Sequence, residues 1–422
     1  MWLWCVGGNK VKKSFDKPDT CCILFPEKEF IMNYKKTHII VALFVLLCAG
    51  TGLAYWLSTP SLDKMVGQMI MTGFHGDGAG ENAETFAAVQ EQIKKGHIGG
   101  VILFDVDVSG LVAQGMTIPE AKKHIFSSNI KNMNQVQALT THLQSISKTP
   151  LLIAIDQEGG NIQRLKPEHG FASIPSAKKL AMGDAKTAYN IAYDLGTRLY
   201  NLGINVDFAP SIDVDVNPES PAIGALERSF SSNPKVVIDF GGVFSNGLNN
   251  ANVVSSFKHF PGHGSAAGDT HAGLTDITKT YQDYELEPWK KLLPNASPLT
   301  TVMVAHVVNN NFDTIPASLS SKTIQMIRNM GFNGVIFSDD MDMGAIVNQY
   351  GREKAIEMAI NAGNDILVFG NNLSFDANRG EEVNQTIVNL VHKGKIKRSR
   401  IRESYNRIMK MKKHMHIKSK SK

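Results

Sequence analysis

Residues 253–271 read VVSSFKHFPGHGSAAGDTH, and an apolar strand-like run leads directly into a polar stretch there. Within fifteen residues the polar stretch carries five ionisable side chains, which are Lys258, His259, His263, Asp269 and His271. The interior of a buried strand is apolar, so such a cluster directly after one is not explained by packing. The sequence therefore predicts the rim of a functional site at this strand end.

Three interpretations of this cluster compete. The residues could form a solvated polar loop. They could bind a metal ion, since His259, His263, Asp269 and His271 are all of ligand type. They could also form a sugar-cleaving or other acid/base site, because a carboxylate beside an imidazole orients it and favours its charged form. The choice depends on the rest of the chain.

The strand before this cluster is one of eight apolar runs that alternate with helical patterns. The runs are 67–74, 99–105, 150–156, 205–214, 252–258, 300–306, 334–340 and 365–370. Most are almost continuously apolar, as expected for strands buried on both faces. Eight such units predict a (β/α)8 barrel, with 106–134 as a longer insertion. A doubly wound open sheet is less favoured, because no GxGxxG or phosphate loop follows the first run.

Helical spacing and stop signals support the alternation. Apolar residues recur at helical spacing between positions 188 and 202, and Gly203 follows them. The patterns 84–95 and 321–330 end in the same way, at Gly96 and Gly331.

The N-terminal part has a different character. Residues 39–57 contain no charge and follow Lys35 and Lys36, which is typical of a membrane anchor or a signal-peptide core. We expect residues 1–31 to be a spurious or disordered extension, with Met32 as the true start, and 32–60 to be the anchor or signal peptide. This predicts an exported protein of the periplasm or cell envelope, either membrane-anchored or secreted.

Cysteine content and charge exclude several classes of site. All four cysteines lie within the first fifty residues, so the body has no disulfide framework, thiolate metal site or cysteine nucleophile. Residues 393–422 contain thirteen Lys or Arg and one acid. This segment, with a basic tail at 414–422, would contact anionic lipid or polymer, or would be a solvated helix end. The chain carries no nucleic-acid motif.

Polar residues also follow the other strand-like runs. They include Asp156, Glu158 and Arg164; Asp213, Asp215 and Arg228; Lys258 and His259; His306; and Ser338, Asp339 and Asp340. Because barrel strand ends meet at one rim, these groups predict a polar pocket suited to a sugar. A retaining glycosidase needs a carboxylate nucleophile and an acid/base. Asp339 is a candidate for the first role, and His271 with Asp269 for the second.

At this point the motifs match a known family. The body, roughly Ser61 to Lys413, resembles glycoside hydrolase family 3 in its β-N-acetylhexosaminidase branch. The resemblance is carried by DQEGGNIQR (156–164), ERSF (227–230), KHFPGHG (258–264), DTH (269–271) and GVIFSDDMDM (334–343). It implies one barrel domain, 61–413, and a retaining exo-β-N-acetylglucosaminidase that acts on peptidoglycan or chitin fragments, without metal or cofactor.

The resemblance also implies residue roles. Asp339 falls on the nucleophile position, His271 on the acid/base position, and Asp269 on that of its partner. The positions that bind the terminal N-acetylglucosamine correspond to Asp156, Arg164, Arg228, Lys258 and His259. Asp340 and His263 are expected to be structural. Asn161 and Thr270 depart from the usual arginine and serine, which affects expectations of fine specificity only.

Three alternatives remain for comparison. A metal-dependent hydrolase usually places a His-x-His pair after the first strand, where this chain has only His75. A non-catalytic sugar-binding barrel would lack the nucleophile or the acid/base. A β-glucosidase of the same family carries its acid/base on a second domain.

We expect a monomer with a small oligosaccharide substrate. Whether water or phosphate is the acceptor of the sugar stays open.

Overall fold

The computed structural model describes residues 60–78, 83–116, 128–268, 270 and 273–416 of the 422-residue chain. The residues from Ser61 onward that it describes form one compact unit. The predicted segments 1–31 and 32–60 lie outside the described residues, except for Pro60. Most of the predicted tail, 414–422, lies outside them as well, so the proposed domain boundaries stay predictions.

Ten strands are present in the described residues. They are β1 Ile70–Gly73, β2 Gly100–Ile102, β3 Leu152–Ile155, β4 Val206–Asp207, β5 Val254–Phe260, β6 Thr275–Asp276, β7 Thr300–Val304, β8 Val307–Val308, β9 Ile336–Asp340 and β10 Ile366–Phe369. Eight of them close into a barrel in the order β1-β10-β9-β7-β5-β4-β3-β2, and all its pairs are parallel. Each predicted apolar run supplies one barrel strand, so the (β/α)8 architecture is confirmed. The open-sheet alternative is wrong, because β1 pairs with both β2 and β10.

Helices connect the strands around the barrel. They are α1 Leu62–Gly67, α2 Ala83–Lys95, α3 Val108–Ala113, α4 Met133–Ile146, α5 Ala177–Leu180, α6 Ala185–Asn201, α7 Pro234–Asn250, α8 Glu287–Leu292, α9 Ser321–Asn329, α10 Gly344–Tyr350, α11 Arg352–Ala362, α12 Arg379–His392 and α13 Arg398–His414. Short 3₁₀ helices span Pro167–His169, Gly224–Leu226, Asp283–Leu286, Leu293–Asn295 and Ala317–Leu319. The predicted insertion 106–134 contains α3 and the start of α4, and its residues 117–127 lie outside the described part.

Local capping explains where the predicted helices begin and end. The Asp184 side chain accepts a hydrogen bond from the Thr187 amide at the start of α6, and Ser320 does the same for Thr323 at α9. Gly203 follows α6 with a φ of 77°, a left-handed conformation that glycine adopts at low cost. The stop signals in the sequence therefore correspond to real helix ends.

One barrel strand is much shorter than its apolar run. The run covers 205–214, but regular pairing of β4 ends at Asp207. Pro210 follows closely, and proline has no amide hydrogen to donate to a neighbouring strand. The chain still runs beside β5, since the Ile212 amide donates to the Lys258 carbonyl at 2.8 Å. This contact places Asp213 beside the polar end of β5.

Part of the basic C-terminal segment is internal. Asp365, fully buried before β10, accepts hydrogen bonds from Arg328 at 2.9 Å and from Arg400 and Arg407 at 3.1 Å. Lys412 is also buried, and burial lowers its pKa to about 7. The interpretation of 393–422 as a solvated helix end is therefore wrong for these α13 residues, which tie the last helix to the barrel.

No helix in the described ranges combines the length and the apolar character needed to cross a bilayer. The uncharged stretch 39–57 lies outside these ranges, so the anchor or signal peptide stays a prediction.

Candidate active site

The carboxyl ends of the barrel strands bring together residues that are far apart in the sequence. Asp156 follows β3, Lys258 and His259 belong to β5, and Asp339 belongs to β9. The barrel is parallel throughout, so these ends all lie on one rim. The predicted convergence of polar side chains on that rim is what the fold produces.

A buried network of ion pairs connects β3 and β5. The Lys258 ammonium lies 2.9 Å from Asp156 Oδ1 and 2.6 Å from Glu158 Oε1. Arg228 reaches the same Glu158 carboxylate with two bonds, Nε to Oε2 at 2.9 Å and Nη2 to Oε1 at 2.6 Å. The side chain of Lys258 is 2% exposed and that of Glu158 is 5% exposed. Charged hydrogen bonds held this way are strong and fixed in direction.

The charges of this network are mutually stabilised. Burial alone would raise the pKa of Glu158, but Arg228 and Lys258 outweigh it and lower that pKa to about 2. Burial also opposes the charge on Asp156, yet Lys258 and Arg164 lower its pKa. Burial would lower the pKa of Lys258, whereas Asp156 and Glu158 raise it. All of these groups are therefore ionised at neutral pH.

His259 is oriented by a second buried carboxylate. Its Nδ1 lies 2.7 Å from Asp213 Oδ2, and the amides of His259 and His263 donate to the same carboxylate. The pKa of Asp213 is lowered, because His259 and the bonds it makes outweigh the effect of burial. Nδ1 donates to this carboxylate, and Nε2 lies 3.0 Å from Arg228 Nη2. This fixes the ring against Arg228.

Arg164 is the more accessible cation of the site. Its Nη2 lies 3.4 Å from Asp156 Oδ2, and its guanidinium lies 5.8 Å from the centre of the Phe104 ring. Gln157 accepts from the backbone amides of Arg164 and Leu165, which shapes the turn after β3. With 25% of its side chain exposed, Arg164 is more accessible than Arg228 or Lys258, at 12% and 2%.

Asp339 and its neighbour Asp340 differ in their surroundings. Asp339 is half-buried, and its Oδ1 accepts from the Asp340 amide at 2.8 Å. Asp340 Oδ1 accepts from the amides of Gly370 and Asp342, at 2.7 and 2.9 Å. Burial, followed by repulsion from Asp342, raises the pKa of Asp340. These contacts fit the predicted structural role of Asp340.

His263 also has the character of a structural residue. It is 2% exposed, and burial, together with the nearby His259, lowers its pKa to about 4. A histidine that stays neutral through the physiological range is poorly suited to donate protons there. Its backbone amide donates a hydrogen bond to Asp213, which helps to hold the loop that follows β5.

Asp269 and His271, the predicted acid/base pair, lie outside the described residues. Thr270 between them is described and buried, and its carbonyl accepts from the Ala345 amide at 3.4 Å. Ala345 stands six positions after Asp339 in the chain. The backbone at Thr270 therefore lies beside the segment that follows β9, on the same side of the rim as Asp339.

Two site residues were not assigned a role from the sequence. Glu158 pairs with both Arg228 and Lys258, and Asp213 orients His259. The signal in the sequence was their position at strand ends, Glu158 two residues after Asp156. What the sequence does not contain is which cation each carboxylate meets, since the partners are 46 to 100 positions away.

The same residues bear on the metal alternative. In the part of the chain that the structure describes, no three His, Cys, Asp or Glu side chains are grouped as they would be around a metal ion. His259 is turned towards Asp213 and Arg228. Two of the four candidate ligands, Asp269 and His271, lie outside the described ranges, so chelator sensitivity is the test of this alternative.

The chain is similar to several known proteins. The model of the "Glycosyl hydrolase family 3 N terminal domain" matches residues 61–411. A protein of Tolumonas auensis named "Beta-hexosaminidase" is 36% identical over 261 residues, which are 59% of this chain and 75% of the relative. "Beta-hexosaminidase LpqI" of Mycobacterium tuberculosis is 36% identical over 231 residues, 52% of this chain and 58% of that protein.

Among solved structures, a family 3 β-N-acetylglucosaminidase from Paenibacillus sp. str. FPU-7 is similar with a TM-score of 0.74 and 30% identity. The match covers 86% of this chain and 64% of that one. The chain thus spans slightly less than two thirds of that solved protein.

Proposed function

Because the chain belongs to glycosyl hydrolase family 3, we propose that it is a retaining exo-β-N-acetylglucosaminidase. It would remove terminal β-linked N-acetylglucosamine from peptidoglycan or chitin fragments. Relatives named β-hexosaminidase, and a similar solved β-N-acetylglucosaminidase, support this activity. The substrate class follows from their names and from the polar character of the rim.

The observation that carries the proposal is the joint placement of a fixed ionic network and a separate carboxylate on one rim. The network consists of Lys258, Asp156, Glu158 and Arg228, and Asp339 lies on β9, which is separated from β5 by β7. A sugar needs directional donors and acceptors for its hydroxyls, and a retaining glycosidase needs one carboxylate to form a bond with the sugar. The rim offers groups for both requirements, which supports the proposal.

In the proposed reaction, an Asp339 oxygen attacks the anomeric carbon while the bond to the leaving-group oxygen breaks. His271 donates its proton to that oxygen, and a covalent glycosyl-enzyme forms. Water then attacks the same carbon, His271 takes its proton, and Asp339 is released. Asp269 would keep His271 oriented and charged. The roles of Asp269 and His271 rest on the family resemblance.

The five proposed sugar-binding residues differ in accessibility. Asp156 and Arg164 have 19% and 25% of their side chains exposed, whereas Arg228, His259 and Lys258 have 12%, 7% and 2%. We assign direct hydroxyl contacts chiefly to the first two. The other three present their polar tips from deeper in the pocket, where their orientation is already fixed by carboxylates.

We further propose that the protein is an exported monomer of the cell envelope. The uncharged stretch 39–57, preceded by Lys35 and Lys36, supports export, and it would hold the protein at the membrane if it is not cleaved. No nucleic-acid partner is proposed. Fractionation of cells that express the full chain tests this part: recovery in the cytosol would refute export.

The test of the activity is release of nitrophenol from 4-nitrophenyl N-acetyl-β-glucosaminide. We expect the full chain to be active, Asp339→Ala to lose at least about a thousandfold in kcat, and a chelator to have no effect. Asp239→Ala, on the exposed surface of α7, is the matched control and should keep full activity. With phosphate added, the products distinguish water from phosphate as acceptor.

Each contrary result has a defined meaning. Activity that survives Asp339→Ala refutes the nucleophile assignment. Activity lost with chelator revives the metal-dependent alternative. Cleavage of the glucoside instead of the N-acetylglucosaminide identifies a β-glucosidase. A folded protein that cleaves neither but still binds N-acetylglucosamine is the non-catalytic barrel.

A further inference from the structure

His306, which follows β7, is a polar residue at a strand end that the proposed reaction does not use. Its side chain is fully buried. Its Nε2 lies 2.9 Å from the backbone oxygen of Asp340, and its Nδ1 lies 2.7 Å from Ser318 Oγ. A buried imidazole that contacts the backbone next to Asp339 calls for a functional explanation.

The partners determine which nitrogen carries the hydrogen. A carbonyl oxygen only accepts, so the 2.9 Å contact requires a hydrogen on Nε2 of His306. Nδ1 can then accept from the Ser318 hydroxyl, which both donates and accepts. Ser318 is itself fully buried and held in place, since its amide donates to the Ala305 carbonyl and its carbonyl accepts from Asn364 Nδ2. The Asp340 carbonyl thus selects the tautomer, and the serine holds the other side of the ring.

Asp340 transmits this restraint to Asp339. Its backbone amide donates to Asp339 Oδ1 at 2.8 Å. On one side its carbonyl is held by His306 from the end of β7, and on the other its carboxyl group is held by the Gly370 amide after β10. A shift of Asp340 in either direction would therefore rotate the Asp339 carboxylate.

We propose that His306 is a positioning residue, which with Ser318 fixes the backbone of Asp340 and thereby aims the Asp339 carboxylate at the anomeric carbon. This rests on the proposed function of Asp339 as the nucleophile. The physical reason is alignment, because a displacement of about 1 Å in a reacting group can cost on the order of a hundredfold in rate. His306 itself does not touch the substrate in this reaction.

Three variants separate positioning from simple packing. His306→Leu fills similar space but cannot donate to the Asp340 carbonyl. His306→Gln places an amide nitrogen near the position of Nε2 and can still donate. Ser318→Ala keeps the imidazole but removes the hydroxyl that holds Nδ1 in place. His97→Leu is the control. His97 precedes β2, at the opposite end of the barrel, and pairs there with Glu381.

The measurements are kcat, KM and the rate of the nitrophenol burst for the full-length variants, with 4-nitrophenyl N-acetyl-β-glucosaminide as substrate. Thermal melting and circular dichroism verify folding. We expect His306→Leu to lower kcat and the burst rate by about ten- to a hundredfold, with KM changed by less than about threefold. His306→Gln should recover most of that loss, Ser318→Ala should be intermediate, and His97→Leu should keep wild-type kcat.

The outcomes also separate this inference from the proposed function. Activity in Asp339→Ala would overturn the nucleophile itself and this inference with it. An inactive Asp339→Ala beside a His306→Leu of wild-type kcat would overturn the positioning role alone. A loss of kcat that His306→Gln does not recover would indicate a packing defect and would overturn the positioning role. A change in KM as large as the change in kcat would do the same. If His306→Leu does not fold, an unchanged kcat in Ser318→Ala decides against the proposal.

Discussion

Glu158→Gln is the substitution that most directly tests the ionic network of the site. Glu158 is nearly isosteric with glutamine, so the change removes one negative charge and little volume. In the wild type the carboxylate is 5% exposed and bonded to both Arg228 and Lys258. The glutamine side chain keeps one acceptor oxygen but presents an NH₂ group towards one of the two cations. Two buried cations would then lose part of their neutralisation.

The magnitude follows from the pKa of the carboxylate. A fall from 4.5 to about 2 corresponds to about 3 kcal/mol of stability, since each pH unit is worth about 1.4 kcal/mol. For an acid with a lowered pKa, this stability is fully present above the unfolded value of 4.5. It is lost as the pH falls from 4.5 towards 2. We therefore expect a deficit of about 3 kcal/mol at neutral pH that narrows below pH 4.5.

Urea unfolding of the full chain at neutral pH and at a series of acidic pH values measures this deficit. Glu219→Gln, an exposed position, is the control with the same change in charge and should unfold like the wild type. Because Arg228 also contacts His259, KM for the nitrophenyl substrate should rise on the order of tenfold in Glu158→Gln. A deficit below about 0.5 kcal/mol at neutral pH would refute the reasoning, since that is the range of inert surface changes.

Two further predictions concern Glu285, in the 3₁₀ helix Asp283–Leu286, and Gly264, in the loop after β5. Burial raises the pKa of Glu285 from 4.5 to about 7, so the folded state binds its proton more tightly than the unfolded chain. Glu285→Gln should therefore leave stability unchanged below pH 4.5 and increase it above pH 7, by up to about 3 kcal/mol. Urea unfolding at both ends of this range checks it, and equal effects at both would contradict the sign. A methyl group on Gly264 would stand 1.7 Å from the Val214 carbonyl oxygen, so Gly264→Ala should cost at least about 2 kcal/mol. Gly183→Ala, whose nearest contact is an ordinary 3.5 Å, is its control, and equal melting temperatures of the two variants would disprove the clash.

Much of the fold was predictable because its signals are local. Each apolar run between 67 and 370 supplied a barrel strand, since strands buried on both faces must be apolar along their length. The glycines after α2, α6 and α9 marked helix ends for a similarly local reason. The length of β4 was less predictable. Pro210 has no amide hydrogen, and whether this ends the strand pairing depends on which neighbouring strand would have accepted that hydrogen bond.

The sequence by itself determined the barrel and the kinds of groups at its rim. It placed Asp156, Lys258 and Asp339 at strand ends, because a strand end is visible as a change from apolar to polar residues. Only the tertiary structure decided the pairing: that Glu158 neutralises Arg228 and Lys258, or that His306 reaches the carbonyl of Asp340. These partners lie 34 to 100 positions apart, and a hydrogen bond depends on distances of a few ångströms that periodicity does not encode.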